Sequence, residues 1–153
     1  MKTLILYFTK TGQNEKVAKF LQEKLNCDLE RIQDDGKRNF LRDAFDAIRE
    51  RHVKIEPIKS NISTYERIFI FTPVWAGNLP APVRTFLEDF SGTLKNRSVY
   101  LVSVSGFGES NKNFKLKFVK YLGREPENSL FVKEKDMNEN TYSERVEEFL
   151  KRI

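Results

Sequence analysis

The chain has 153 residues, 39% hydrophobic and 32% charged, a balance that suits one folded domain over 1–153 and excludes disorder. Its single cysteine, Cys27, excludes a disulfide framework and a cysteine-cluster metal site, so no metal is expected. The net charge of +5 is spread through helical segments, densest at Lys112, Lys115, Lys117 and Lys120, with no interleaved aromatics of a nucleic-acid module; it fits a solvated Lys/Glu surface or one that meets an acidic partner.

The first strand reads from Lys2 to Phe8, where Leu4, Ile5, Leu6, Tyr7 and Phe8 form the near-continuous apolar run of a parallel strand buried on both faces. It begins too close to Met1 for a signal peptide, and no apolar run reaches the ~20 residues of a membrane span. A cytoplasmic location without membrane insertion is therefore expected. The run stops at Thr9-Lys10-Thr11-Gly12-Gln13-Asn14, and helical spacing follows over Gln13–Asn26, with Val17, Phe20, Leu21 and Leu25 on one side. A helix start offers unsatisfied N–H groups and a positive dipole end, the threonines add hydroxyl donors, and Gly12 lets backbone approach an oxyanion. The loop is a phosphate cradle. It lacks the G-x-x-x-x-G-K-[ST] of a P-loop and the G-x-G-x-x-G of a dinucleotide site. Acidic strand ends for a magnesium-binding receiver and a loop cysteine for a tyrosine phosphatase are also missing.

The run Ile5 to Asn14, followed by Ala18 and Leu21, resembles the FMN phosphate-binding signature of the flavodoxin family. Asn14 stands where that family usually has threonine. Members of the family are typically acidic, so the basic balance here implies a different choice of partner.

Further strands are expected at Asp28–Ile32, Arg67–Phe71, Ser98–Val104 and Ser129–Val132, alternating with helices at Asn39–Arg51, Ala81–Phe90, Asn113–Leu122 and Tyr142–Arg152. Val53–Tyr65 reads as a surface connection. Strict alternation of strand and helix argues for an α/β fold, a parallel sheet covered on both faces. The resemblance implies a flavodoxin-like, three-layer, doubly wound, five-stranded sheet of order 2-1-3-4-5. Ligands of such sheets bind beyond the carboxyl ends of the strands, at the switch between strands one and three. The phosphate loop, the Thr72–Pro80 loop and Ser105-Gly106-Phe107-Gly108 all fall at that edge.

In the second loop Pro73 and Pro80 bracket a stiff turn, Gly77 permits an unusual backbone angle, and Trp75 offers a flat surface for a ring, with core packing as its alternative role. The stretch Tyr65–Phe90 is similar to oxidoreductases in which a T-P-x-[WY]-x-G loop wraps the flavin, and Ser103–Gly108 resembles their third loop. The resemblance implies one noncovalent FMN. Thr9, Lys10, Thr11, Gly12, Gln13 and Asn14 would hold its phosphate, Pro73, Val74, Trp75, Ala76, Gly77 and Asn78 would frame the ring and its N5 edge, and Ser105, Gly106, Phe107 and Gly108 would lie on the pyrimidine side. It implies electron transfer to a redox partner protein or small acceptor, with the redox chemistry in the cofactor and no catalytic side chain required. His52 reads as a solvated helix cap and Cys27 as a small buried filler. Two other functions remain open: an NAD(P)H-dependent flavin or quinone reductase on the same fold, and a non-redox binding module.

Overall fold

The computed structural model describes residues 1–34, 45–46, 48–106 and 112–153. Strand β1 (Thr3–Tyr7) is buried along its whole length. It is flanked in parallel by β2 (Asp28–Arg31) and β3 (Arg67–Phe71), and β3 continues to β4 (Ser98–Ser105) and β5 (Asn128–Lys133). The sheet is parallel, as the alternation led us to expect, and its order is β2-β1-β3-β4-β5, as the resemblance implied. Registry is direct across the switch, with Tyr7 opposite Phe71 and Phe71 opposite Val102. The carboxyl ends of β1 and β3 therefore finish level, and β4 runs on three residues past Val102 to Ser105.

The period-two alternation of the strands divides the core in two. Leu4, Leu6, Ile68, Ile70 and Leu101 face α2 (Ala81–Leu94) and α3 (Lys112–Leu122), which contribute Val83, Phe86, Leu87, Phe114, Phe118 and Leu122. Ile5, Tyr7, Phe69, Phe71 and Val102 face α1 (Gln13–Leu25) and α5 (Tyr142–Leu150), which contribute Val17, Ala18, Leu21, Val146 and Phe149. Each fully buried Leu or Phe contributes about 1.5–3 kcal/mol relative to exposure. A single turn and a half, α4 (Glu134–Asn138), joins β5 to α5.

Each departure from expectation has a physical cause. Helix α2 runs four residues past Phe90, through Ser91 and Gly92, because Leu94 beyond them is fully buried and packing outweighs the weak propensity of that pair. Helix α4 is too short to show a period. Within Val53–Tyr65 a 3₁₀ turn forms at Ile62–Thr64, where Asn61 Oδ1 accepts from Ser63 N–H and Ile62 anchors it in the core. Most of the helix expected at Asn39–Arg51 lies outside the described residues; Phe45, Asp46 and Ile48 are helical, and Glu50 turns out of the helix at φ 52°. None of the helices among the described residues is long and apolar enough to cross a membrane.

Candidate cofactor-binding site

Beyond β1 the backbone stays tied to the sheet for one more residue, as Phe8 N–H donates to the Phe71 carbonyl at 2.9 Å. Thr9 is buried, and its hydroxyl oxygen accepts from Gly12 N–H at 2.9 Å. That bond closes a tight loop, and Gly12 meets it in the left-handed region, φ 86°. Helix α1 then starts at Gln13 with no side chain capping it, so its first N–H groups point outward unclaimed by a cap. A Cβ placed on Gly12 would meet nothing within 4 Å, so the space in front of the helix start is open. Lys10 and Thr11 are exposed on the rim, and Gln13 is half-buried. Lys10 Nζ lies 3.6 Å from Asp34, and an Arg31 guanidinium N–H donates to the Thr9 carbonyl at 3.3 Å. The outer wall of the loop is thus braced by the end of β2.

Asn14 is buried, and its side chain reaches across the sheet to accept the Val104 N–H of β4 at 3.1 Å. Because the backbone partner can only donate, the atom facing it is Oδ1. The residue that replaces the family's usual threonine thereby links the first loop to the end of the fourth strand.

In the second loop, Trp75 and Asn78 pair through both backbone bonds, Trp75 N–H to the Asn78 carbonyl at 3.0 Å and Asn78 N–H to the Trp75 carbonyl at 2.8 Å. The two residues between them, Ala76 at φ 47° and Gly77 at φ 73°, are both left-handed, as the tightest hairpin turn requires. Asn78 Nδ2 donates to the Ala76 carbonyl at 3.0 Å and stiffens it further. Alanine in this conformation carries about 1–2 kcal/mol of backbone strain. Pro73 and Val74 are half-buried before the turn, and the Thr72 hydroxyl donates to the Pro73 carbonyl at 3.1 Å. Trp75 is also half-buried and stands edge-on to Phe8, ring centroids 5.5 Å apart at 76°. It packs on the core through one edge rather than filling it.

At the third loop Ser103 and Ser105 are buried, and among the described residues neither hydroxyl has a hydrogen-bond partner. An unpaired buried hydroxyl costs free energy that a ligand can recover. Ser105 ends β4 and Gly106 follows it, exposed. Phe107 and Gly108 lie outside the described residues.

One part of this edge had no sequence signal. A groove of about 420 Å³ separates the Ala76–Asn78 turn from α3 and is lined there by Asn113, Leu116, Lys117 and Lys120. Glu50 crosses to this helix, accepting from Lys117, from Lys120 at 2.8 Å and from the Tyr121 hydroxyl at 2.8 Å. The hydrogen bonds from Lys117, Lys120 and Tyr121 hold its carboxyl down at about 2. Arg84, fully buried on α2, donates to the Asp46 carbonyl at 3.2 Å and to the Arg51 carbonyl, fastening the same segment from below.

The arrangement offers an uncapped helix start with open space before it, an aromatic edge, a rigid turn and an orphaned hydroxyl, all at one end of the sheet. Residues 1–151 match the family of NADPH-dependent FMN reductases. The chain belongs to that family. Its fold is shared with a flavoprotein of Lactobacillus acidophilus in complex with FMN, 21% identical, covering 93% of this chain and 98% of that one at a TM-score of 0.73. A Bacteroides eggerthii structure described as a flavoprotein is 25% identical over 84% of this chain and 86% of that one, TM-score 0.71. A Fusobacterium nucleatum flavodoxin bound to flavin mononucleotide is 15% identical over 99% and 96%, TM-score 0.58. A comparison with curated proteins finds no match.

The donor set of the site fits the cofactor of this family. A phosphate monoester suits the helix start at Gly12, and the half-buried Trp75 and the unpaired Ser105 hydroxyl suit a flat ring with a polar edge.

Proposed function

We propose that the chain binds one FMN at this edge and serves as an electron-transfer protein. The observation that carries the reading is the open, uncapped start of α1 at Gly12, level with the strained Trp75–Asn78 turn and the unpaired Ser105 hydroxyl. The N–H groups of Gln13 and Asn14 would meet the phosphate. The Thr9 hydroxyl, whose oxygen already accepts from Gly12, keeps its proton to donate. Thr11 and Lys10 would close the rim, and the Nδ2 of Asn14 would add a donor from below while Oδ1 stays on Val104. Trp75 would shield one side of the ring. The Ala76–Gly77–Asn78 turn would present its peptides to the N5 edge, and Ser105 with Gly106 to Gly108 would line the pyrimidine side. When bound, the flavin supplies the redox chemistry, and the protein tunes it through the polarity and hydrogen bonds around the ring.

A second reading, NADPH-dependent reduction of a flavin or quinone, is favoured by the family match and by the groove beside Ala76–Asn78, which gives a second substrate room at the same turn. The test is one set of measurements. Protein titrated with FMN and with riboflavin should bind FMN in the micromolar range or tighter and prefer it. Anaerobic mixing of the FMN-loaded protein with NADPH and with NADH then separates carrier from reductase: rapid loss of the oxidised flavin spectrum means direct hydride transfer. No FMN binding, or a preference for riboflavin, would refute the site.

A further inference from the structure

The basic character of the chain has a place. Helix α3 carries Lys112, Lys115, Lys117 and Lys120 and not one acidic residue. At ~100° per residue these four occupy an arc of roughly 200° on the side away from Phe114, Phe118 and Leu122, and Leu116 falls in the middle of it. Leu116 is 63% exposed. An apolar side chain at the centre of a charged face is the layout of a docking surface, apolar contact ringed by charge.

The surroundings extend the same character. Glu50 draws its segment onto α3, and that segment presents Ile48, 60% exposed, and Phe45, 46% exposed, beneath Arg49 and Arg51. Among the described residues, Glu50 is shared by Lys117 and Lys120, and Glu125 pairs with Lys115 at 3.2 Å, so three of the four lysines of the helix pair with two acids. The groove below this face opens onto Ala76, Gly77 and Asn78.

We propose that α3, with Phe45, Ile48 and Glu50 beside it, is the docking surface for an electron-exchange protein with an acidic face. The proposal rests on the FMN reading for its purpose, since it sets the partner against the turn assigned to the N5 edge. Two features choose a protein over a small anion. The lysines extend over roughly 12 Å of helix, longer than one carboxylate or phosphate can span. The exposed apolar residues, Leu116 and Ile48, also need an apolar counterpart on the other side.

Oxidised cytochrome b5, an acidic haem protein, and cytochrome c, a basic one, serve as probes. In calorimetric titrations at low salt the purified protein should bind cytochrome b5 and not cytochrome c, with affinity falling on the order of tenfold or more as salt screens the contact. The double variant Lys112→Glu, Lys115→Glu leaves the Glu50 contacts in place and should abolish binding; Leu116→Asp should weaken it. FMN affinity should not change in either. With FMN bound and the protein reduced beforehand by dithionite, one electron passes to each ferric haem. That transfer should slow on the order of tenfold in the double variant, while reduction of uncharged 1,4-benzoquinone keeps its rate. Unaltered cytochrome b5 binding by the double variant, or an equal slowing of benzoquinone, would overturn the docking surface. Intact docking without flavin binding would leave the surface standing and refute the FMN reading instead.

Discussion

Substitution at Gly12 separates the backbone of the phosphate loop from its ligand. Gly12 sits at φ 86°, and a Cβ there would meet no protein atom within 4 Å. The cost of Gly12→Ala in the free protein is therefore conformational, without a steric part from the protein itself. The left-handed conformation costs an alanine roughly 1–2 kcal/mol. Glycine gives back about 0.5–1 kcal/mol through its larger loss of chain entropy on folding. The net expectation is a loss of ~0.5–1 kcal/mol in stability, with valine worse because it is β-branched. FMN affinity should fall further, by about 1.4 kcal/mol or more, a factor of ten, because the new methyl enters the space assigned to the phosphate. Lys10→Ala is the contrast: an exposed lysine already engaged with Asp34 should change affinity by under ~1 kcal/mol. Urea denaturation without FMN and fluorescence titration with it report the two quantities on the same preparations. The cradle is refuted if Gly12→Ala and Gly12→Val bind FMN as wild type does, or if Lys10→Ala abolishes binding while they do not.

Trp75→Ala should cost ~1–2 kcal/mol of stability, below the ~3–5 kcal/mol of a buried aromatic, because Trp75 is half-buried and edge-packed on Phe8; FMN affinity should fall in the same titration, and unchanged affinity would make the residue purely structural. Ala76→Gly removes ~1–2 kcal/mol of left-handed strain against ~0.5–1 kcal/mol of added chain entropy, so the urea midpoint should rise slightly. Glu50 has its folded carboxyl at about 2 against an ordinary value of 4.5, so its stabilisation is complete above pH ~4.5 and is lost as pH falls through about 2. Acid denaturation of Glu50→Gln should lack that part of the slope and match wild type below it. Arg84→Met should destabilise by about 3 kcal/mol or more, since two carbonyls of the Asp46–Arg51 segment lose a charged donor, and hydrogen exchange of that segment should rise first.

The sheet was legible because its central strands are apolar on both faces and its loops carry sharp punctuation. Arg67–Phe71 could be bounded to the residue: Glu66 and the Thr72-Pro73 pair mark both limits. The fate of Asn14 was not legible. Local sequence places its side chain at the helix start, whereas its oxygen is committed ninety residues away, to Val104. The same holds for the groove along α3: periodicity located Phe114, Phe118 and Leu122, but that the opposite face lines the Ala76–Asn78 turn depends on how α2 and α3 pack. Helix lengths were underestimated where a distant contact, such as that of Leu94, extends a helix across poor formers. Long-range contacts decide these features, and a linear reading does not contain them.

The bond from Val104 to Asn14 gives the site an order of assembly. Val104 is the next-to-last residue of β4, and Asn14 lies in the first turn of α1, so one hydrogen bond fastens the floor of the phosphate loop to the base of the third loop. A cleft whose walls already hold each other demands little further ordering when a ligand arrives, and affinity gains accordingly. The converse concerns departure. The hydrogen bond opposes separate movement of the two walls, so on the FMN reading a cofactor seated between them would leave more readily once that bond is broken. On the FMN reading, slow release of the cofactor is the property that this single amide would confer.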